Sequence, residues 1–310
     1  MLGVERAEDR RRPVETALGW LLVPLSGTHG WVREAIPVRL GRRGDAHEPR
    51  EVTITTRTAL IGGGAAGIGY AIAARLAATH RTVITGRSAA TLDTATARLK
   101  SQTGAEVGAI VNDIAAPDAG AAALEAMATR YGPPDVLVLN AGGPRPGRIL
   151  DVDDDAWRAG TELLLIGPLR LARLALPGMA GRRFGRIVFV TSAVVRQPQP
   201  DLAVSVVLRS AVTAAAKLLS RECAAAGVTV NCVAPGATDT SRRREVLAAR
   251  AARNGTLQAD LDDEDTATVP AGRPAAPDEI AAAVAFLVSA DAGYVNGTVL
   301  TVDGGRTETI

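Results

Sequence analysis

Short runs rich in Val and Ile recur along the chain from about Thr58, each separated from the next by a longer stretch with apolar residues every three or four positions. The runs near Thr58–Ile61, Thr82–Thr85, Val107–Val111, Val136–Leu139, Arg186–Thr191, Thr229–Val233 and Val299–Val302 are short and almost continuously apolar, as strands covered on both faces must be. The stretches between them carry helical stripes such as Ile68, Ile72 and Leu76, or Ile280, Val284 and Leu287, which read as core contacts. Strand alternating with helix predicts βαβ units: a three-layer, doubly wound α/β fold of Rossmann type on a seven-stranded parallel sheet.

That rhythm is absent before the first run. Residues 1–55 carry scattered charge with several Gly and Pro, and are expected to be an N-terminal extension, poorly ordered or a docking arm, ahead of a domain spanning 56–310. A start at Val52 from a GTG codon is the other account of this segment. Arg10-Arg11-Arg12 followed by Ala17–Leu25 has the outline of a secretion signal. However, Glu5, Glu8, Asp9 and Glu15 crowd its basic part, no small-residue cleavage site follows, and the apolar run is too short to cross a bilayer. Neither a targeting segment nor a membrane partner is expected.

Composition changes this picture little. With 47% hydrophobic residues in 310 and a formal charge of +2 spread over many Arg, Asp and Glu, a sizeable core is assured. The concentrated basic face that nucleic acid requires is missing, so nucleic acid is excluded as a partner. The two cysteines, Cys223 and Cys232, fall on an expected helix and strand, which suits free buried thiols in a reducing cytoplasm.

The first strand runs straight into Gly62-Gly63-Gly64-Ala65-Ala66-Gly67-Ile68-Gly69 and then a helix. Such a turn brings backbone close to a pyrophosphate while the helix N-terminus favours negative charge, making Gly63, Ala65, Gly67, Ile68 and Gly69 candidate dinucleotide contacts. A glycine pattern alone is weak, but this one sits between strand and amphipathic helix, where the mechanism needs it. The second strand ends in Gly86-Arg87-Ser88 instead of the Asp or Glu that would accept from the free ribose hydroxyls of NAD. A guanidinium suits a 2′-phosphate, so Arg87, with Ser88 beside it, points to NADP(H); a solvated surface arginine is the bland alternative. Asp113, after the third strand, is placed to accept from the adenine amino group.

Further motifs follow in order: Asn140-Ala141-Gly142 after the fourth strand, Ser192 at the end of the fifth, then Val230-Asn231 with Pro235-Gly236, Gly272-Arg273-Pro274, Tyr294-Val295-Asn296-Gly297 and Val302-Asp303-Gly304-Gly305. On these the chain from Thr58 onward resembles the short-chain dehydrogenase/reductase family. The resemblance implies hydride transfer between NADP(H) and a small carbonyl or alcohol substrate. It implies that Asn140, Ala141, Gly142, Pro235 and Gly236 line the cofactor cleft, with Thr240 at the nicotinamide carboxamide. It further implies a substrate lid near 241–270, and a homotetramer or homodimer built through helices that begin near Asp154 and Ser205. The lid holds Arg242, Arg243 and Arg244 and later Asp260, Asp262, Asp263, Glu264 and Asp265; this reads as a solvated helix in preference to a patch for an acidic substrate.

The catalytic pattern departs from that resemblance. The family places a Tyr, and a Lys four residues later, beside the fifth-strand Ser, with an Asn from the preceding helix. Gap-free counting back from Val230-Asn231 and forward from Ser192 puts Ser205 at the Tyr position and Arg209 at the Lys position; counting back from Leu176–Met179 puts Leu164 at the Asn position. The chain's only tyrosines are Tyr70, Tyr131 and Tyr294, and its only lysines Lys100 and Lys217. Lys217 follows Arg209 on the same helix but lies roughly 80° around it.

Ser192, Ser205 and Arg209 are therefore the candidate catalytic set. A serine hydroxyl is a poorer acid than a Tyr, and Arg does not relay protons, but the three together would donate hydrogen bonds to a developing oxyanion. The alternatives are that Ser205 and Arg209 are a helix cap and a buried polar contact in a protein that binds NADP(H) without turnover, or that the scaffold serves a non-redox dehydratase or cyclase.

Overall fold

The computed structural model describes residues 16–24, 31–39 and 56–309, and the chain divides into two units, Met1–Ile54 and Thr55–Ile310. In the first, β1 (Thr16–Pro24) and β2 (Trp31–Arg39) pair antiparallel, with Thr16 opposite Arg39 and Pro24 opposite Trp31. This paired segment falls within the stretch expected to be an N-terminal extension, poorly ordered or a docking arm. The signal was Ser26-Gly27-Thr28-His29-Gly30, a cluster of turn formers between two apolar runs. The remainder of the expected extension lies outside the described residues.

The second unit runs β3 (Thr58–Ile61), α1 (Gly67–Leu76), β4 (Arg81–Gly86), α2 (Ala89–Thr103), β5 (Gly108–Val111), α3 (Ala119–Arg130), β6 (Val136–Leu139) and α4 (Asp154–Thr161). A π-helical turn, Glu162–Ile166, then joins α4 to α5 (Gly167–Gly181). There follow β7 (Gly185–Val190), α6 (Ala203–Cys223), β8 (Val228–Pro235), α7 (Ser241–Asn254), α8 (Gln258–Ala267), α9 (Pro277–Val288) and β9 (Val299–Val302). The seven strands lie in the order β5-β4-β3-β6-β7-β8-β9, all parallel, which is the doubly wound Rossmann fold.

Every expected strand is present, with its ends moved by a residue or two. Val107 falls outside β5, β8 runs on to Pro235, and Thr191 falls just outside β7 although its N–H still reaches the Val233 carbonyl.

The near-continuous apolar character of β7 and β8 has a direct cause, since every residue of both is buried between helical layers. On one face Ile72, Leu76, Leu92, Val284 and Leu287 pack against Ile61, Ile84, Val138 and Val233. On the other Met127, Leu171, Met179 and Val212 pack against Leu60, Leu137, Ile187 and Phe189. Each such side chain removed from water contributes about 1.5–3 kcal/mol. Cys223 on α6 and Cys232 on β8 are buried as expected, and that burial pushes their thiols up to about 11 and about 12.

Strand order reverses beside β3, so the loops leaving the carboxyl ends of β3 and β6 diverge and open a cleft. The lid rises from that edge. A bridge between Thr238 and Ala275 pinches its base, and α7 and α8 fill the span between.

Candidate active site

The cleft at the carboxyl end of the sheet encloses about 1520 Å³. It is lined by Gly63, Ala65, Gly67, Ile68, Arg87, Ser88, Asp113, Asn140, Ala141, Gly142, Ser192, Ser205, Arg209, Pro235, Gly236 and Thr240. One expected contact, Gly69, does not face it. Gly69 holds helix α1 against the turn, because a Cβ there would overlap the Gly63 carbonyl oxygen and lie 2.8 Å from Asn140 Nδ2. Asn140 donates from the same nitrogen to the Gly62 carbonyl at 3.0 Å, stapling the β6 loop to the turn. Gly63 and Gly67 have φ of 58° and 54°, a backbone that side chains resist. Helix α1 has neither a side-chain cap nor an acid in its first turn, which leaves its N-terminal N–H groups for an anion.

Two further features fit a dinucleotide, one for a phosphate and one for a base amino group. Arg87 is exposed at the rim and has no hydrogen-bond or ion-pair partner among the described residues. Asn112, just inside the rim beside Asp113, keeps a buried Oδ1 without a partner, an acceptor that a ligand's amino group would satisfy. Sequence reasoning passed over Asn112; its place one residue before Asp113 was the available signal. Ser88 Oγ accepts from the Thr91 N–H and caps α2, and Thr240 Oγ1 accepts from the Arg243 N–H and caps α7.

At the inner end, Arg209 donates from Nε to Ser205 Oγ at 3.1 Å and from Nη1 to the Val190 carbonyl at 2.8 Å. Ser205 is buried in the first turn of α6, whose cap position is Leu202, so it is no helix cap. Ser192 Oγ accepts from the Val194 N–H at 3.4 Å. Each serine oxygen thus accepts from a nitrogen donor, which leaves its own proton to point elsewhere. Burial, and secondarily the charge of Arg242, brings Arg209 down to about 10, so it remains a cation at neutral pH.

A family model described as enoyl-(acyl carrier protein) reductase matches residues 63–307. The 3-oxoacyl-(acyl-carrier-protein) reductase FabG of Vibrio cholerae is 34% identical over 252 residues, covering 80% of this chain and 96% of that protein. The chain belongs to the short-chain dehydrogenase/reductase family. Among solved structures, a single-residue variant of actinorhodin polyketide ketoreductase with NADPH matches at a TM-score of 0.79 and 32% identity, covering 83% of this chain and 99% of that one. L-Sorbose reductase from Gluconobacter frateurii, complexed with NADPH and L-sorbose, matches at 0.77 and 31%, covering 82% and 98%.

None of the chain's tyrosines or lysines lines the cleft. Tyr70 bonds Gln102, Tyr131 packs over Gly108, and Tyr294 is fully exposed. Lys100 pairs with Glu106, and Lys217 donates to the Gly297 carbonyl beside a separate small cavity. Leu164, in the π-helical turn, is buried against Val204 and Leu208 of α6.

The lid corrects one expectation. Arg243 is no solvated residue, for its side chain is 11% exposed and pairs with Asp262 and Asp265 of α8. Arg306 from the C-terminal segment reaches Asp265 as well, at 2.8 Å, while Arg250 and Arg253 both reach Asp201. Arg242 turns into the cleft, donates to the Pro144 carbonyl and lies over Gly143, where a Cβ would come within 2.7 Å of its Cζ. Gly143-Pro144 was legible as part of the fourth-strand loop; its fit to Arg242 was not.

Proposed function

We propose that the protein is an NADP(H)-dependent oxidoreductase of carbonyl or alcohol substrates, in which Ser192, Ser205 and Arg209 replace the family's usual Ser, Tyr and Lys. The observation that carries this reading is the Arg209 guanidinium bonded to Ser205 Oγ beside Ser192 at the inner end of the cleft. The phosphate turn, Asn112, Asp113, Asn140–Gly142 and Arg87 would hold NADP(H), and Pro235, Gly236 and Thr240 would bound its nicotinamide end. NADPH, when bound, supplies the hydride.

The chain's own part is electrostatic. The Ser192 and Ser205 hydroxyl protons, directed away from the nitrogens that bond their oxygens, converge on the charge that develops on a carbonyl oxygen. Arg209 fixes Ser205 and adds its own charge. With no Tyr–Lys pair in the cleft, the proton itself must come from water or from the substrate.

The test is NADPH oxidation against a panel of carbonyl compounds. Arg209→Ala should lower turnover by roughly 10²–10³-fold, the usual cost of an oxyanion-holding donor. Arg87→Ala should weaken NADPH binding by about ten- to a hundredfold and leave NADH unchanged, as a charge-assisted phosphate contact is worth.

The empty Tyr and Lys positions favour a second reading, a protein that binds NADPH without turnover. Binding heat with no absorbance change across the panel would select it.

The family resemblance also supports a homotetramer or homodimer. The α4–α5 run and α6 are long and apolar enough to span a membrane by length and composition, yet each packs one face on the sheet and turns the other outward with Leu174, Val207 and Leu218 exposed. Such a face fits a second copy of the chain. Leu218→Glu should then convert the assembly to monomers in sedimentation.

A further inference from the structure

We propose that the substrate carries an anionic group, a carboxylate, which seats between Arg209 and Arg242. This rests on the cleft being the reductase site described above, and it narrows the substrate class of that site.

Arg209 is held by a serine oxygen and a backbone carbonyl, and no carboxylate pairs with it among the described residues. Burial without a counter-ion is costly for a guanidinium, and the charge of Arg242 acts on it in the same unfavourable direction. Two like charges are therefore brought to one end of a cleft that is lined by both.

Arg242 is built into this position. It lies on the Gly143 backbone, which has no room for a side chain beneath it, and the Pro144 carbonyl holds its far end. Its one acid partner, Glu245, is an i,i+3 neighbour on α7 that is 61% exposed, and a solvent-screened pair of that kind neutralises little of its charge.

Of the other acids lining this part of the cleft, Asp201 and Asp265 are committed to arginines, and Glu308 is exposed and pairs with no cation among the described residues. Asp201 faces two guanidiniums, Arg250 and Arg253, and Asp265 faces Arg243 and Arg306. Arg209, Arg242, Arg243, Arg250 and Arg306 line this part of the cleft against Asp201, Glu245, Asp265 and Glu308, which leaves an excess of one positive charge. Asp113 lies at the opposite end, beside Asn112 and β5. The hydroxyls of Ser192 and Ser205 complete a wall made of donors. With the short Ser205 where the family has Tyr, the floor of the cleft has room for a substrate group to approach Arg209.

The experiment titrates NADPH-saturated protein by calorimetry with oxo acids of increasing chain length and with their amides, which keep the carbonyl and lose the charge. The acids should bind about ten- to a hundredfold more tightly than the matched amides, the range of a charge-assisted pair. Their affinity should fall with added NaCl while that of the amides holds. Arg242→Gln should bring the acid-to-amide ratio close to one, with NADPH affinity read on the same sample.

Equal affinity for acid and amide, or no acid binding at any chain length, in a sample that binds NADPH overturns the inference and leaves the proposed function standing. Failure to bind NADPH overturns the proposed function instead, and the same titration on cofactor-free protein then decides the inference alone. Should Arg242→Gln fail to fold, the salt dependence of the unaltered protein decides it.

Discussion

Gly69→Ala is expected to cost NADPH affinity at least about a hundredfold, read by calorimetry, and to lower stability by roughly 1–3 kcal/mol. The methyl would sit on the Gly63 carbonyl, 2.7 Å from its carbon and 2.8 Å from Asn140 Nδ2. None of these atoms belongs to a flexible side-chain end. Gly63 is held at a φ of 58° and Asn140 is bonded to Gly62, so relief must come from moving the turn that would meet the pyrophosphate. Gly142→Ala is the matched control. A Cβ there meets nothing within 4 Å, so stability should be unchanged, and any loss of affinity would report contact with the ligand.

Asp265→Ala carries the second large effect. The carboxylate is 8% exposed and joins Arg243 of α7 to Arg306 of the C-terminal segment from its own place on α8. Its removal leaves Arg306 without its acid, and leaves Arg243 with only the half-exposed Asp262. Removing one partner from a buried ionic cluster costs about 3–5 kcal/mol, most of it the desolvated charge left behind. At about 2–4 °C per kcal/mol for a domain of this size, thermal unfolding should fall by roughly 6–20 °C. Asp154→Ala, which removes an exposed partner of Arg158, should shift it by under a degree or two. Since Asp265 and residues of α7 line the cleft, Asp265→Ala should also raise KM for any substrate found.

The parts of this protein that depend on neighbours in sequence were legible. Runs such as Arg186–Thr191 mark strands because a parallel sheet covered on both faces leaves no position for water. The glycine turn was legible because its chemistry lies within one strand, one turn and one helix. For Gly69 the sequence left packing and ligand contact alike, and only the atoms around the missing Cβ give it a packing role. The hairpin of β1 and β2 was missed because its apolar run was weighed only as a signal or a membrane span, and the turn formers behind it were not counted.

The site divides along the same line. Counting along the chain put Ser205, Arg209 and Leu164 where the resemblance expects Tyr, Lys and Asn, and the fold brings Ser205 and Arg209 together on α6. Whether some distant Tyr or Lys replaces them in space is a question of folding, and the answer is negative: Tyr70, Tyr131, Tyr294, Lys100 and Lys217 all face elsewhere. The bonding of Arg209 to Val190, of Arg243 to Asp265 and of Arg242 to Pro144 joins residues 19, 22 and 98 positions apart. The sequence by itself determined the sheet and the glycine turn after its first strand, since local pattern and spacing encode those. Only the tertiary structure decided which arginines are neutralised and which face the cleft, because an ion pair depends on where the chain returns in space.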